Sequence, residues 1–279
     1  MPRLATRTLL LLLAVGLIAA LCLFGAGSCK YSPEKTLKAA SEAWASGDYQ
    51  KSAELYQRFL EHAPLGEESI QARLQLANVY YLNLHRYEDA RVQYREFLSQ
   101  APLSPEAYGA RERLAEVLSD LGKSYEAIAE YENLAPPEEA ERRRIRLRIA
   151  DLYYDQKNYS QALTEYAKVT EGVPYDDQSE EAYLREASIY QLSRGQYMQA
   201  MPVYRKLASE SNDAKVRRRA LYNIADCYEG MYQFDEAIKV LREIKDQSEQ
   251  SYIARKITEL EQRSREVTGS VASKTSSSQ

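Results

Sequence analysis

Residues 149–169 read IADLYYDQKNYSQALTEYAKV. Ile149, Ala150 and Tyr153 are spaced as one face of a helix. Lys157-Asn158 breaks the pattern, and Tyr159 begins a second helix. In that helix Ala162, Tyr166 and Val169 stand at i, i+4 and i+7, again one face. The stretch therefore predicts two short helices joined by a tight turn, with small residues where they meet.

The same arrangement recurs in both directions. Its turns read Gly47-Asp48-Tyr49, His85-Arg86-Tyr87, Gly122-Lys123-Ser124, Lys157-Asn158-Tyr159, Gly195-Gln196-Tyr197 and Tyr232-Gln233-Phe234. A small residue follows each: Ser52, Ala90, Ala127, Ala162, Ala200 and Ala237, at intervals of 38, 37, 35, 38 and 37. Four residues on come Tyr56, Tyr94, Tyr131, Tyr166, Tyr204 and Leu241. Three further come Phe59, Phe97, Leu134, Val169, Leu207 and Ile244. Upstream helices carry Leu76, Ala77 and Tyr80; Leu114, Ala115 and Leu118; Ala187 and Tyr190; Ile224, Ala225 and Tyr228. Thirteen of the 23 tyrosines occupy three repeat positions, so they read as packing residues between helix pairs and not as a ligand box.

A helix–turn–helix unit of this length, small at two positions and large around them, resembles the tetratricopeptide repeat. The resemblance covers residues 33–248 in six copies. It implies an all-α solenoid, a right-handed superhelix whose concave groove is lined mainly by first helices and takes an extended segment or a partner helix. The copies depart from a uniform unit in places. The second and fifth each hold an extra residue, expected in the turn near Leu84 and Arg194. The third ends early at Pro136-Pro137. Pro202 is tolerable only in the first turn of its helix. The first copy has Trp44 as the only large residue of its first helix. Residues 249–267, with Ile253, Ile257 and Leu260 on one face, read as a capping helix over the last copy, and the Ser-rich stretch 268–279 as a disordered tail.

The start of the chain has a different character. Arg3 and Arg7 precede an apolar run from Leu9 to Gly27. Residues 1–28 read as a signal peptide of lipoprotein type or as a membrane anchor, with 29–32 a short linker. Ala26-Gly27-Ser28-Cys29 resembles a bacterial lipobox, which would make Cys29 the lipidated residue. A retained helix and ordinary cleavage are the alternatives. Cys22, after bulky Leu21, is a poorer lipid site. All three fates put the body beyond the inner membrane. Only Cys227 lies in that body, so packing alone must hold it, and Cys227 reads as a small buried apolar residue.

The chain has 37 basic and 41 acidic residues, net −4, and −6 once Arg3 and Arg7 leave. That balance argues against nucleic acid as a partner. Two histidines, His62 and His85, stand without a Cys or acidic cluster at metal-ligand spacing. A glycine-rich phosphate loop is missing too. The reading is a protein that is not an enzyme, with no cofactor, metal or small-molecule substrate. Acidic pairs such as Glu67-Glu68, Asp176-Asp177 and Glu180-Glu181 fall at helix starts, where the helix dipole favours them. Two basic clusters stand out in first helices: Arg142, Arg143, Arg144, Arg146 and Arg148, then Lys215, Arg217, Arg218 and Arg219. They are candidates for a basic patch holding an acidic or carboxylate-bearing partner segment. Pairing with glutamates such as Glu138, Glu139 and Glu141 on a solvated face is the other reading.

From Ser32 to Leu118, Gly47-Asp48-Tyr49, Ala63-Pro64-Leu65-Gly66, Leu76-Ala77-Asn78-Val79-Tyr80-Tyr81, Arg95-Glu96-Phe97-Leu98 and Ala101-Pro102-Leu103-Ser104-Pro105 resemble the BamD family of outer-membrane assembly lipoproteins. The resemblance implies a scaffold tied to the outer membrane from the periplasm, binding barrel-assembly components and unfolded outer-membrane protein segments. Lys30 after Cys29 is compatible with that sorting. A periplasmic coordinator of cell-wall, division, secretion or pilus machinery, or a regulatory subunit of an envelope enzyme, stays open beside it.

Overall fold

A computed structural model describes residues 31–276 apart from Pro174, Arg194 and Asp246, with side chains through Val267. The leader, Cys22 and Cys29 lie outside the described residues. Among those described, all regular structure is helical, and no helix is long and apolar enough to cross a membrane.

The described residues divide into two compact units, one up to residue 107 and one from residue 108. In the first, α1 (Pro33–Ala45), α2 (Tyr49–His62), α3 (Glu67–Asn78) and α4 (Tyr87–Gln100) pack each on the next. The second is opened by α5 (Ala107–Asp120). It continues with α6 (Ser124–Glu132), α7 (Glu139–Asp155), α8 (Tyr159–Thr170), α9 (Asp177–Ser188), α10 (Tyr197–Glu210), α11 (Ala214–Gly230), α12 (Phe234–Glu243) and α13 (Gln250–Ser276). From α6 onward, helices adjacent in sequence are again adjacent in space.

The recurring small-then-large positions form the cores of these hairpins. Ser52, Ala90, Ala127, Ala162, Ala200 and Ala237 are all at 0 % exposure, and the large residues four and seven on are buried too. Each buried large side chain contributes about 1.5–3 kcal/mol. The tyrosines reach further than packing between pairs requires. Their hydroxyls meet the first helix of their own pair: Tyr56 Oη to Ser41 Oγ at 3.2 Å, and Tyr94 donating to Asn78 at 2.8 Å. Tyr166 donates to Asp151 at 2.6 Å, and Tyr204 to Gln191 at 2.6 Å.

The turns share one backbone device. The first residue of each turn triplet is left-handed: Gly47 (φ 82°), His85 (51°), Gly122 (70°), Lys157 (60°), Gly195 (60°) and Tyr232 (60°). The next amide closes the helix end, as Asn158 N–H does on the Tyr153 carbonyl at 2.9 Å. Glycine adopts this conformation without strain, whereas His85, Lys157 and Tyr232 hold it at a cost.

Three expectations are corrected. The extra residues of copies two and five are absorbed not in the turn but one step earlier, as single π-helical turns over Val79–Asn83 and Ile189–Ser193. The closing amide then reaches one residue further back, from Arg86 to the Tyr80 carbonyl at 2.8 Å. Pro202 lies past the first turn of α10, where it removes the bond to the Met198 carbonyl. Met198 is on the solvent side of the helix, so water can take that place. The last helix continues past Val267 to Ser276, with no proline to stop it, where a disordered tail was expected.

Candidate partner groove

The two arginine clusters occupy equivalent places in α7 and α11, and most of their members serve the packing of the second unit. Arg142 and Arg217 reach back to the loop before their own helix. Arg142 donates to the Pro136 and Pro137 carbonyls (3.2 and 2.5 Å), and Arg217 to the Ser211 carbonyl (2.7 Å). Arg143 and Arg218 reach forward to an acid at the start of a later helix. Arg143 is almost fully buried, clamps both Asp176 oxygens (2.6 and 2.7 Å) and donates to the Val169 carbonyl (2.8 Å). Arg218 stands 3.3 Å from Glu249.

Asp176 also caps α9, accepting from the Ser179 amide at 2.9 Å. The Arg143 guanidinium is the main reason its carboxyl falls to about 2, with the Ser179 bonds adding to the effect. Arg144 joins Glu141 of its own helix and Glu112 of α5. Its hydrogen bond is the chief cause holding the Glu141 carboxyl below the usual range.

Arg146 belongs to a recurring pair that the sequence reading missed. It donates to Glu165 at 2.9 Å, as Arg111 does to Glu130 and Arg73 to Gln93, both at 3.1 Å. Each links a first helix to the second helix of its pair. The signal was available: an arginine at one repeat position in three successive copies.

Three members of the clusters remain. Lys215 is exposed on the first turn of α11, where its amide is capped by Asp213 at 2.7 Å. Arg148 and Arg219 are exposed, and their head groups make no hydrogen bond or ion pair among the described residues. Both line a groove across first helices α7, α9 and α11. One part, about 210 Å³, is walled by Tyr131, Arg148, Asp151, Asp155 and Arg185. The other, about 430 Å³, is walled by Leu184, Arg185, Gln191, Leu192, Arg219 and Asp226. Arg185 is common to both; it lies 3.6 Å from Asp151 and over the Tyr154 ring at 5.8 Å.

The groove is thus mixed in charge, not a basic patch. Arginines alternate with carboxylates, and the Tyr166 and Tyr204 hydroxyls fix Asp151 and Gln191 from behind. Desolvation holds the Asp226 carboxyl above its usual range, chiefly against the opposing pull of Lys256. Such a lining can pair with a side-chain or terminal carboxylate, accept from backbone amides and cover an apolar side chain with Leu184 and Leu192.

Cys227 is fully buried, and burial pushes its thiol up to about 12. His62 packs on Tyr31 and pairs with the Arg58 carbonyl, and His85 sits in a turn. Among the described residues no three His, Cys, Asp or Glu side chains could hold a metal ion.

Two models of the tetratricopeptide repeat match the chain, one over residues 37–83 and 74–140 and another over 219–251. Those segments are tetratricopeptide repeats, and the described residues have a tetratricopeptide-like helical repeat fold. Between those matches, α7 to α10 continue the same hairpins. No curated protein matches the chain. Among solved structures it is similar to a tetratricopeptide-repeat protein of Parabacteroides merdae: 19 % identity, TM-score 0.52, 84 % of this chain and 88 % of that one. It is also similar to the C-terminal part of a tetratricopeptide-repeat protein of Cytophaga hutchinsonii: 17 % identity, TM-score 0.52, 80 % and 95 %. At these identities the likeness concerns the fold. Tetratricopeptide-repeat proteins serve as protein-interaction scaffolds, typically without catalysis.

Proposed function

We propose that this chain is a non-catalytic scaffold of the bacterial cell envelope, anchored through Cys29 or its apolar leader, that holds an extended protein segment in the α7–α9–α11 groove. The observation that carries the reading is the pair Arg148 and Arg219. They stand in a groove of first helices with no partner among the described residues, while most of the arginines around them are engaged in packing. The resemblance to the BamD family supports outer-membrane protein assembly as the process served. The partners would then be barrel-assembly components or unfolded outer-membrane protein segments.

The test is capture of the full chain and its partners from membranes, with and without Arg148→Glu and Arg219→Glu. A barrel-assembly protein that co-purifies and is lost from the double variant supports the reading, with each reversed contact weakening capture about tenfold. Recovery of cell-wall enzymes instead would favour the periplasmic coordinator. Undiminished capture by the variant would remove the groove from the account. Cys29→Ala separates the anchors: a lipoprotein is left unprocessed or mis-sorted, and a retained helix is indifferent.

A further inference from the structure

Leucine is an unusual choice for a fully solvated loop tip, and the first unit has two. Leu65 is 84 % exposed and Leu103 is 95 % exposed. They are 38 residues apart, each directly after Ala-Pro, in the loops that follow α2 and α4. Helices α2 and α4 both pack against α3 in an up-and-down arrangement, so the two loops lie on one edge of the unit. The equivalent positions of the next three copies, thirteen residues past the small residue, hold Ala140, Tyr175 and Asp213, so the feature is not a property of the repeat.

The chain enters the first unit at this same edge. Tyr31 donates through Oη to the Phe59 carbonyl at 3.3 Å, at the end of α2. Its ring lies 4.6 Å from that of His62, three residues before Leu65. The apolar run of the sequence ends at Gly27, four residues before Tyr31. Four residues span at most about 14 Å. Any bilayer that receives the leader or a lipid on Cys29 is therefore held within reach of the Leu65 loop, and the Leu103 loop is the next one along.

We infer that the Leu65 and Leu103 loops form a second, direct contact with the lipid bilayer, seating their leucines at the acyl–headgroup boundary and fixing how the first unit stands on the membrane. The inference rests on the envelope reading above. The contact is apolar. The exposed acids beside the loops, Glu61, Glu67, Glu68 and Glu106, would gain nothing from anionic headgroups, so it is insensitive to salt.

The chain has one tryptophan, Trp44, which is half exposed and replaceable by Phe. In that Trp44→Phe background, Leu65→Trp, Leu103→Trp and a control, Leu192→Trp, are made in the full chain. Leu192 is 75 % exposed but lies in the second unit, and it accounts for the affinity of tryptophan itself for membranes. Each protein is bound to phosphatidylcholine vesicles with brominated acyl chains and floated.

The expected result is blue-shifted emission quenched by bromine for Leu65→Trp and Leu103→Trp, with aqueous acrylamide quenching only the control. Vesicles that float the chain while acrylamide quenches all three proteins alike overturn the inference and leave the envelope reading standing. Shielding from both quenchers also overturns it, since a second copy of the chain would then be covering the loops. A chain that does not float removes the envelope reading and this inference together.

Discussion

The two units use one packing pattern and two ways of tying helices together. In the first, ion pairs such as Lys38–Glu42, Arg86–Asp89 and Arg91–Glu88 join neighbours at i+3 or i+4 along a single helix or its cap. In the second, ion pairs bridge helices: Arg143 to Asp176, Arg144 to Glu112, Arg146 to Glu165, and Glu229 of α11 to Lys256 and Arg263 of α13. Apolar periodicity builds the hairpins in both. In the second unit charge adds to how firmly one helix is held to another.

The comparison is broken most severely at Arg143, whose side chain is 8 % exposed and bound at three points. Arg143→Met should destabilise the second unit by about 3 kcal/mol, by removing a buried ion pair and the donor to a buried carbonyl. Lys38→Ala in the first unit should change stability by no more than about 0.5 kcal/mol. Urea unfolding combined with hydrogen exchange resolved by segment checks both, with the loss of protection centred on α7 to α9. Equal effects at the two sites would dissolve the distinction.

Asp176→Asn sharpens the comparison by keeping the helix cap and removing the charge. Asp176 is 46 % exposed, so the cost near neutral pH is about 1–2 kcal/mol after allowing for solvent screening. Its carboxyl is held near 2 in the folded protein. The stabilisation it supplies is therefore complete above the unfolded value of about 4 and is lost as pH falls through about 2. Melting curves of the two proteins should differ near neutrality and converge on acidification through that window. A gap independent of pH would mean that the ionised carboxylate is not what Arg143 requires.

The hairpins were legible because each small or large position recurs in register; the structure buries those of the second helices, and leaves the first-helix Tyr153, Tyr190 and Tyr228 half-buried. The arginine roles were not. Successive helical residues point about 100° apart, so Arg142, Arg143 and Arg144, contiguous on paper, serve a loop behind, a helix ahead and glutamates on α5 and α7. A cluster in sequence was read as a patch in space, and of its members Arg148 and Arg219 are the two that line the groove exposed and without an ion pair among the described residues. The extra residues at copies two and five were visible from length. Nothing in Val79–Asn83 says that the helix will widen before the turn begins. That outcome depends on keeping Tyr80 buried while the turn moves by one residue.

The smallest effects belong to the turns, where the two units should behave alike. His85, Lys157 and Tyr232 hold the left-handed conformation that Gly47, Gly122 and Gly195 adopt freely. His85→Gly in the first unit and Lys157→Gly in the second should each raise stability by about 0.5–1 kcal/mol. Relief of backbone strain slightly exceeds the entropy that glycine adds to the unfolded chain. Lys157→Gly should gain most, because Tyr232→Gly and His85→Gly give up ring contacts with Phe234 and Tyr87 at 6.1 and 6.2 Å. Gly122→Ala should lose about 1 kcal/mol by the same reasoning reversed. Thermal melts of the four variants test this, and a destabilising Lys157→Gly would mean that the lysine side chain, not the backbone, sets the turn.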